Sequence, residues 1–270
     1  MQEIKQLLII GCGNMGGAML AGWLASGLDP SRFAILDPAL DQAPAGVAFY
    51  RDPAEAQSAD AHDAVLLGFK PQQLGKLAPG LLQVTGAGIS VYSLLAGITL
   101  AQLQQAFPDA SAHVRVMPNL AARIGKSPVI LLESGLSDVQ REGAFAQFDT
   151  LGTAVWLEDE SKFDLATALA GSGPGFVYRF IDALAEAASE LGLGAGQAIS
   201  LAVAMVDGAS SLAAAADISP GELADRVASP GGMTREGMNV LDEGGALADL
   251  LTRTLTATRD RGAALAKNGD

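Results

Sequence analysis

Cysteine is almost missing from this chain: Cys12 is the one copy in 270 residues, which excludes an internal disulfide framework. Histidine is nearly as scarce. With His62 and His113 alone beside that cysteine, no Cys/His cluster of the kind that holds zinc can be assembled, and no tight acidic cluster suggests a carboxylate metal site. Positive charge is also short. The 17 Lys and Arg stand against 30 Asp and Glu, a formal net charge of −13, whereas binding a phosphate backbone needs clustered cations. Nucleic acid is therefore not an expected partner. No run reaches roughly eighteen uninterrupted apolar residues, and the opening MQEIKQLLIIGCG leads straight into a strand and a glycine loop instead of a cleavable apolar segment. These absences predict a cytoplasmic protein without a membrane partner or a metal.

What is present is apolar material, 49% of the residues against 17% charged, enough for one large core or two smaller ones. From Gln6 to about Glu158, short apolar runs (QLLII, FAILD, VAFY, AVLLGF, ISVYSLL, HVRVMP, VILLE and AVWLE) alternate with helix-like stretches such as GAMLAGWLASG and TLAQLQQAF. Continuous runs of that length are what parallel strands buried on both faces look like, so residues 1–158 are predicted to form an α/β domain with a mostly parallel sheet. After Glu158 the strand signals stop and Ala, Leu and Glu dominate, which predicts an all-α domain over 159–270. The acidic LEDESKFD at the change suits a domain boundary and the first turn of a helix. The helix expected at 195–216 is apolar nearly all round; such a face is covered by a second subunit or by the chain's own core, and the first reading predicts at least a homodimer.

The run LLIIGCGNMGGAML places Gly11, Gly13 and Gly16 between a buried strand and an amphipathic helix. In that context the first glycine permits a tight turn, the second lets backbone approach a pyrophosphate, and the third lets the helix sit close to the strand with its N-terminus facing the anion. A dinucleotide site is the reading, with a structural glycine turn as its alternative. Asn14 and Met15, heading the helix, are expected to touch the cofactor. Cys12, in the same loop and counted with the cofactor-binding residues, reads as a small residue fitted against the nucleotide or the strand instead of a catalytic thiol, because no general base accompanies it. Asp37 ends the second strand, 21 residues beyond Gly16. A carboxylate there accepts hydrogen bonds from the adenosine ribose and repels a 2′-phosphate, which favours NADH; Arg32 or Arg51 could reach a 2′-phosphate, which leaves NADPH open.

Two further strand ends carry prolines, Gly68-Phe69-Lys70-Pro71 and Met117-Pro118-Asn119. In an open parallel sheet ligands lie at the carboxyl ends of strands, so these segments are candidates to line the nicotinamide or its ribose; an ordinary loop is the other reading of each. Near the C-terminus, RVASPGGMTREG interrupts a series of helices: a Ser-Pro-Gly-Gly run breaks one helix and the Thr behind it starts another. Read alone, it is an interhelical turn with Ser and Thr as caps.

Taken together, GCGNMGGAML, FKP at 69–71, RVMPN at 115–119, AGSGPGFVYRFIDALAEAASELGL at 170–193 and ELADRVASPGGMTREGMNVLDEGG at 222–245 make the chain resemble the pyrroline-5-carboxylate reductases along its whole length. The stretch after MPN reads LAA where that family usually has Thr-Pro-Ala, Gly175 stands where Ala is usual, and Met233 where Thr or Ala is common. These departures bear on substrate fit more than on reaction class. The resemblance implies an N-terminal Rossmann domain, a helical C-terminal domain that interlocks with its partner's in a dimer, dimers that assemble into rings, and reduction of L-1-pyrroline-5-carboxylate to L-proline with NADPH or NADH.

That reaction sends a hydride to the C5=N carbon of a cyclic imine and a proton to nitrogen. It needs a carboxylate cradle, a hydrogen-bonding group at the ring nitrogen and close placement of the ring, but no strong general base. ASPGGMT fits those needs. Ser229 offers a hydroxyl, Pro230 stops a helix, Gly231 and Gly232 bare the backbone, and the next helix begins near Thr234 with its positive dipole end available to an anion. The resemblance implies that Ser229 and the backbone of Gly231, Gly232, Met233 and Thr234 hold the carboxylate. It gives the Thr234 hydroxyl to the ring nitrogen, with a proton relayed through water. It also implies that Ser172 and Gly173 lie near substrate and nicotinamide, and puts Asp217 where the family often has Glu near the substrate nitrogen; a helix-starting turn and a surface loop are the plain readings of these two. Rival functions are a reductase of another small cyclic imine and a non-catalytic NAD(P)-binding regulatory protein. A hydroxy-acid dehydrogenase of similar plan relies on an interdomain-helix Lys, and the helix after Gly175 offers none before Lys267.

Overall fold

The computed structural model describes residues 4–59 and 62–267. Eight strands form, one at each apolar run: β1 (Leu7–Ile10), β2 (Phe33–Leu36), β3 (Ala48–Tyr50), β4 (Ala64–Leu67), β5 (Ser90–Ser93), β6 (Ala112–Met117), β7 (Ser127–Ser134) and β8 (Gly152–Trp156). Between them lie α1 (Asn14–Ala25), α2 (Pro53–Ala59), α3 (Leu74–Leu81), α4 (Leu100–Ala106) and α5 (Asp138–Asp149). The strands join in one sheet of order β3-β2-β1-β4-β5-β6-β7-β8. Every pairing is parallel except β6 with β7. The exception has a simple cause. A parallel crossover needs about a dozen residues or more, and the link from Met117 to Ser127 is shorter and spent on a 3₁₀ turn, Leu120–Ile124.

Alternation along the strands divides the core between the two faces of the sheet. Leu7 and Ile9 join Trp23, Phe33, Ile35 and Phe148 on one face, while Leu8 and Ile10 join Leu36, Val65, Leu67 and Leu103 on the other. Trp23 stacks on Phe33 at 5.2 Å and meets Phe148 edge-on at 5.7 Å; its indole N–H donates to the Gln147 carbonyl at 3.1 Å. Beside this contact α1 approaches the Leu120–Ile124 turn so closely that a side chain at Gly22 would overlap the Ala122 carbonyl oxygen.

The remaining helices are α6 (Phe163–Ala166), α7 (Gly173–Glu190), α8 (Ala195–Ala215), α9 (Pro220–Val227), α10 (Met233–Asp242) and α11 (Ala246–Lys267). The chain divides into two compact units, Met1–Ser172 with Thr258–Asp270, and Gly173–Ala257. The packing boundary therefore falls later than the composition change near Glu158. Phe163 explains why: it is buried with Ile130 and Leu132 against the sheet, and Arg115 of β6 lies 3.8 Å over its ring while pairing with Glu160 at 2.8 Å.

In the second unit, α7 and α8 pack through a seam of small residues, Ala185, Ala198 and Ala202, flanked by Ile181 and Ala188. Gly192, at φ +107°, closes α7, and the Leu193 N–H reaches back to the Ala188 carbonyl, a helix ending that requires a left-handed residue. The rest of the apolar surface is uncovered within one chain: Tyr178, Phe180, Leu201, Val203 and Leu212 are 49–70% exposed.

Candidate active site

The first unit carries a cleft of about 610 Å³ at the carboxyl ends of β1, β2 and β4. Gly11, Gly13 and Asn14 form one wall, Gly68, Phe69 and Lys70 another, and Asp37 with Pro38, Ala39 and Arg51 closes the β2 end. At Gly11, Gly16 and Gly68 the backbone is bare because nothing larger fits, whereas Gly13 faces open space. A Cβ on Gly11, already at φ +85°, would lie 2.9 Å from Phe69 N; one on Gly16 would lie 2.9 Å from the Gly11 carbonyl oxygen; one on Gly68 would overlap that same oxygen. No side chain caps the N-terminus of α1, whose cap residue is Gly13. Its first N–H groups are left to an anion, as a pyrophosphate site requires. Leu36, Leu77 and Leu81 add an apolar wall suited to a flat ring.

Asp37 does more than end a strand. Its Oδ2 accepts the N–H of Cys12 at 2.9 Å and its Oδ1 the N–H of Ala39 at 2.9 Å, so it clamps the glycine loop and its own turn while keeping lone pairs for a ribose. The Cys12 thiol is pushed up from 9.0 to about 11, by burial first and by the Asp37 charge second, which makes it an inert filler of the loop. Of the two arginines considered for a 2′-phosphate, Arg51 lines the cleft, donates to the Pro38 and Asp41 carbonyls at 3.2 and 3.3 Å, and lies 5.0 Å over the Phe49 ring. Arg32 instead donates to the Ile4 carbonyl and the Gln147 side chain. The signal that separates them is strand polarity: Arg32 precedes β2, whereas Arg51 follows β3 at a carboxyl end, where ligands lie, and the β2–β3 pairing brings it to the cleft.

The remaining residues expected at the cofactor fall outside the cleft's lining. Met15 packs on the core, Gly16 is buried under the loop, and Pro71 opens the 3₁₀ turn leading into α3. Met117 and Asn119 lie at the end of β6, next to a π-helical turn, Thr167–Gly171. There Asn119 is 6% exposed and its Nδ2 donates to the Ala170 carbonyl at 3.0 Å. The MPN motif thus meets, across 51 residues of chain, the alanine that immediately precedes GSG. Ser172 follows, its N–H donating to the Thr167 carbonyl at 3.1 Å, and Gly173 begins α7.

In the second unit the SPGG break is a turn between α9 and α10. Gly231 is left-handed at φ +69°, and Gly232, not Ser229 or Thr234, is the cap of α10. The Gly232 N–H donates to the Ser229 carbonyl at 2.9 Å, so it is spent within the turn instead of facing an anion. The N–H groups of Met233 and Thr234 precede the first helical bond, Glu236 N–H to the Gly232 carbonyl, and are the donors the turn presents. Ser229, Met233 and Thr234 are exposed. Arg235, unremarked in sequence, braces the turn by donating to Asp225 at 2.7 Å and to the Ala228 carbonyl at 3.4 Å. Asp217 is exposed in the loop between α8 and α9, and no hydrogen bond or ion pair joins it to the turn among the described residues.

Comparison with known proteins places both units. Residues 160–265 match the model of the pyrroline-5-carboxylate reductase dimerisation domain, and residues 6–97 that described as NADP oxidoreductase, coenzyme F420-dependent. A pyrroline-5-carboxylate reductase from Methanosarcina acetivorans is 32% identical over 263 residues, 95% of this chain and 96% of the relative. The structure of such a reductase from Coxiella burnetii superposes with a TM-score of 0.90 at 31% identity, covering 97% of this chain and 99% of the other. A Plasmodium falciparum pyrroline carboxylate reductase, solved with NADP bound, shares the fold with a TM-score of 0.81 at 22% identity, over 98% and 99% of the two chains.

Proposed function

The chain belongs to the pyrroline-5-carboxylate reductase family, and from that premise we propose how its own residues reduce L-1-pyrroline-5-carboxylate to L-proline with NADPH or NADH. The observation that carries the proposal is the backbone-walled cleft beside an uncapped helix N-terminus in a chain that also keeps the complete ASPGGMT turn. Gly11, Gly13, Asn14, Asp37, Gly68, Phe69 and Lys70 are assigned to the dinucleotide, which when bound supplies the hydride.

Ser229, Gly231 and the N–H groups of Met233 and Thr234 are assigned to the substrate carboxylate, where the dipole of α10 adds to the attraction. The turn meets that task with few charges of its own, since Arg235 is committed to Asp225. The Thr234 hydroxyl is assigned to the ring nitrogen, holding water or donating as the nitrogen gains its proton. Preorganised donors of this kind contribute on the order of 2–4 kcal/mol. Thr234→Ala is expected to lower kcat about 100-fold while Thr234→Ser keeps most of it and neither changes cofactor affinity; full turnover by Thr234→Ala would contradict the assignment. Ser172, Gly173 and Asp217 are kept as further substrate-side candidates.

Residues 159–270 are assigned to substrate binding and dimerisation, 1–158 to the dinucleotide. Self-association covers the exposed apolar face of α7 and α8. α8, 21 residues in length, is long and apolar enough to cross a membrane, with mean hydropathy 1.6 over its most apolar 18 residues and 11% of those buried; its place inside the matched dimerisation region favours a subunit contact, and with it a cytoplasmic protein. A ring of dimers is the larger assembly the family resemblance supports. Light scattering reads both levels, and a monomer at micromolar concentration would contradict them.

A further inference from the structure

Asn119 was expected at the cofactor, yet every polar group of the residue is engaged within the chain. Its backbone N–H donates to Ser127 Oγ at 2.8 Å, its Oδ1 accepts the Ala121 N–H at 2.9 Å, and its Nδ2 donates to the Ala170 carbonyl at 3.0 Å. The first two bonds fix the residue itself: Ser127 is fully buried, and the Ala121 bond caps the Leu120–Ile124 turn. The third bond reaches across 51 residues to another element. Its acceptor lies in the π-helical turn Thr167–Gly171, and such turns, with one residue too many for the helix ladder, leave carbonyls that need a partner from outside. Beside the bond, Gly171 sits against Met117, whose side-chain atoms would be 3.5–3.8 Å from a Cβ there.

A dinucleotide with its ribose at the end of β2 lies across the carboxyl ends of the sheet, so its other end reaches toward β4, β5 and β6. Met117 closes β6 at that edge, and the π-turn is joined to it there. We propose that Asn119 is a positioning residue for hydride transfer: by holding the Ala170 carbonyl it fixes the π-turn, and with it the Ser172 backbone, at the nicotinamide end of the sheet, without touching cofactor or substrate. The proposal rests on the family reading for the reaction and on the geometry for the brace.

Two variants separate the bonds. Asn119→Ala loses both side-chain bonds, whereas Asn119→Asp keeps the acceptor for the Ala121 N–H and loses the donor to Ala170. Hydrogen exchange of the full-length protein reads the brace without any turnover: the Ser172 amide, bonded to the Thr167 carbonyl, is expected to exchange about tenfold faster in both variants. Cofactor Kd, from reduced-nicotinamide fluorescence, is expected to stay within about threefold while kcat falls about tenfold or more in both. A role in the cap alone leaves Asn119→Asp with wild-type exchange and kcat, which would overturn the proposal. So would a cofactor Kd weakened about tenfold with unchanged Ser172 exchange, because Asn119 would then be a cofactor contact. Absence of turnover in the wild-type protein would count against the family reading, and the exchange result would still decide the brace.

Discussion

The carboxylate of Asp37 accepts the backbone N–H of Cys12 at 2.9 Å, so the end of the second strand holds the glycine loop that follows the first. One carboxylate thereby serves two purposes, shaping the pyrophosphate cradle and facing the ribose. The guanidinium of Arg51 lies at the same end of the cleft.

These neighbours predict a split in cofactor use. Arg51→Ala removes a cleft-lining cation at the β2 end and is expected to lower kcat/KM for NADPH about tenfold, with NADH changed by less than about twofold. Asp37→Ala is expected to lower kcat/KM for both, NADH more, because a charged acceptor worth about 1.5–3 kcal/mol is lost from the loop as well as from the ribose. Equal losses with both cofactors in Arg51→Ala would show that the guanidinium does not read the 2′-position.

Two glycines are expected to tolerate no side chain, with different consequences. Gly68→Ala pushes a methyl into the Gly11 carbonyl; cofactor affinity is expected to fall about tenfold or more, while the core away from the cleft is preserved. Gly22→Ala pushes one into the Ala122 carbonyl, outside the cleft lining, and is expected to lower unfolding free energy by about 1–3 kcal/mol or more with cofactor Kd little changed. Denaturant titration and fluorescence titration on each variant separate the two effects.

Stability should also depend on pH through Cys12. Its folded-state pKa is raised from 9.0 to about 11, so the folded protein keeps the thiol neutral where the unfolded chain ionises. The contribution is full below pH 9, falls as pH rises toward 11 and is absent above; with the thiol only partly shielded from solvent, it amounts to about 1–2 kcal/mol. Wild-type protein is therefore expected to lose more stability than Cys12→Ala across that window in guanidinium unfolding. Parallel curves for the two proteins would contradict the assignment, as would rapid alkylation of Cys12 in the native state near neutral pH.

Much of this was legible in the residues. Each of the eight apolar runs became a strand; for β1, β2 and β4, buried along their whole length, the reason is that a strand covered on both faces has to be apolar throughout, and the glycine loop was readable because its requirement is local. The less legible features depend on contacts distant in sequence. Arg51 stands at the carboxyl end of a strand run and Arg32 before one, but only the pairing of β3 with β2 brings Arg51 to the cleft; Asn119 looks like a loop residue until Ala170 appears beside it; Gly22 is one small residue in a helix of many. The SPGG run is legible as a break between helices, but its cap falls to Gly232 and one of its N–H groups turns inward, details set by the left-handed Gly231. Reversal of β7 was visible only as the shortness of the link before it.

Reduction of a C=N bond by this chain is tested most directly by oxidation of NADH and NADPH by the purified protein in the presence of L-1-pyrroline-5-carboxylate, with proline quantified in the same reaction. One proline formed per reduced nicotinamide consumed, with at least one of the two cofactors, is the expected result. Folded, dinucleotide-binding protein that produces no proline with either cofactor would contradict it.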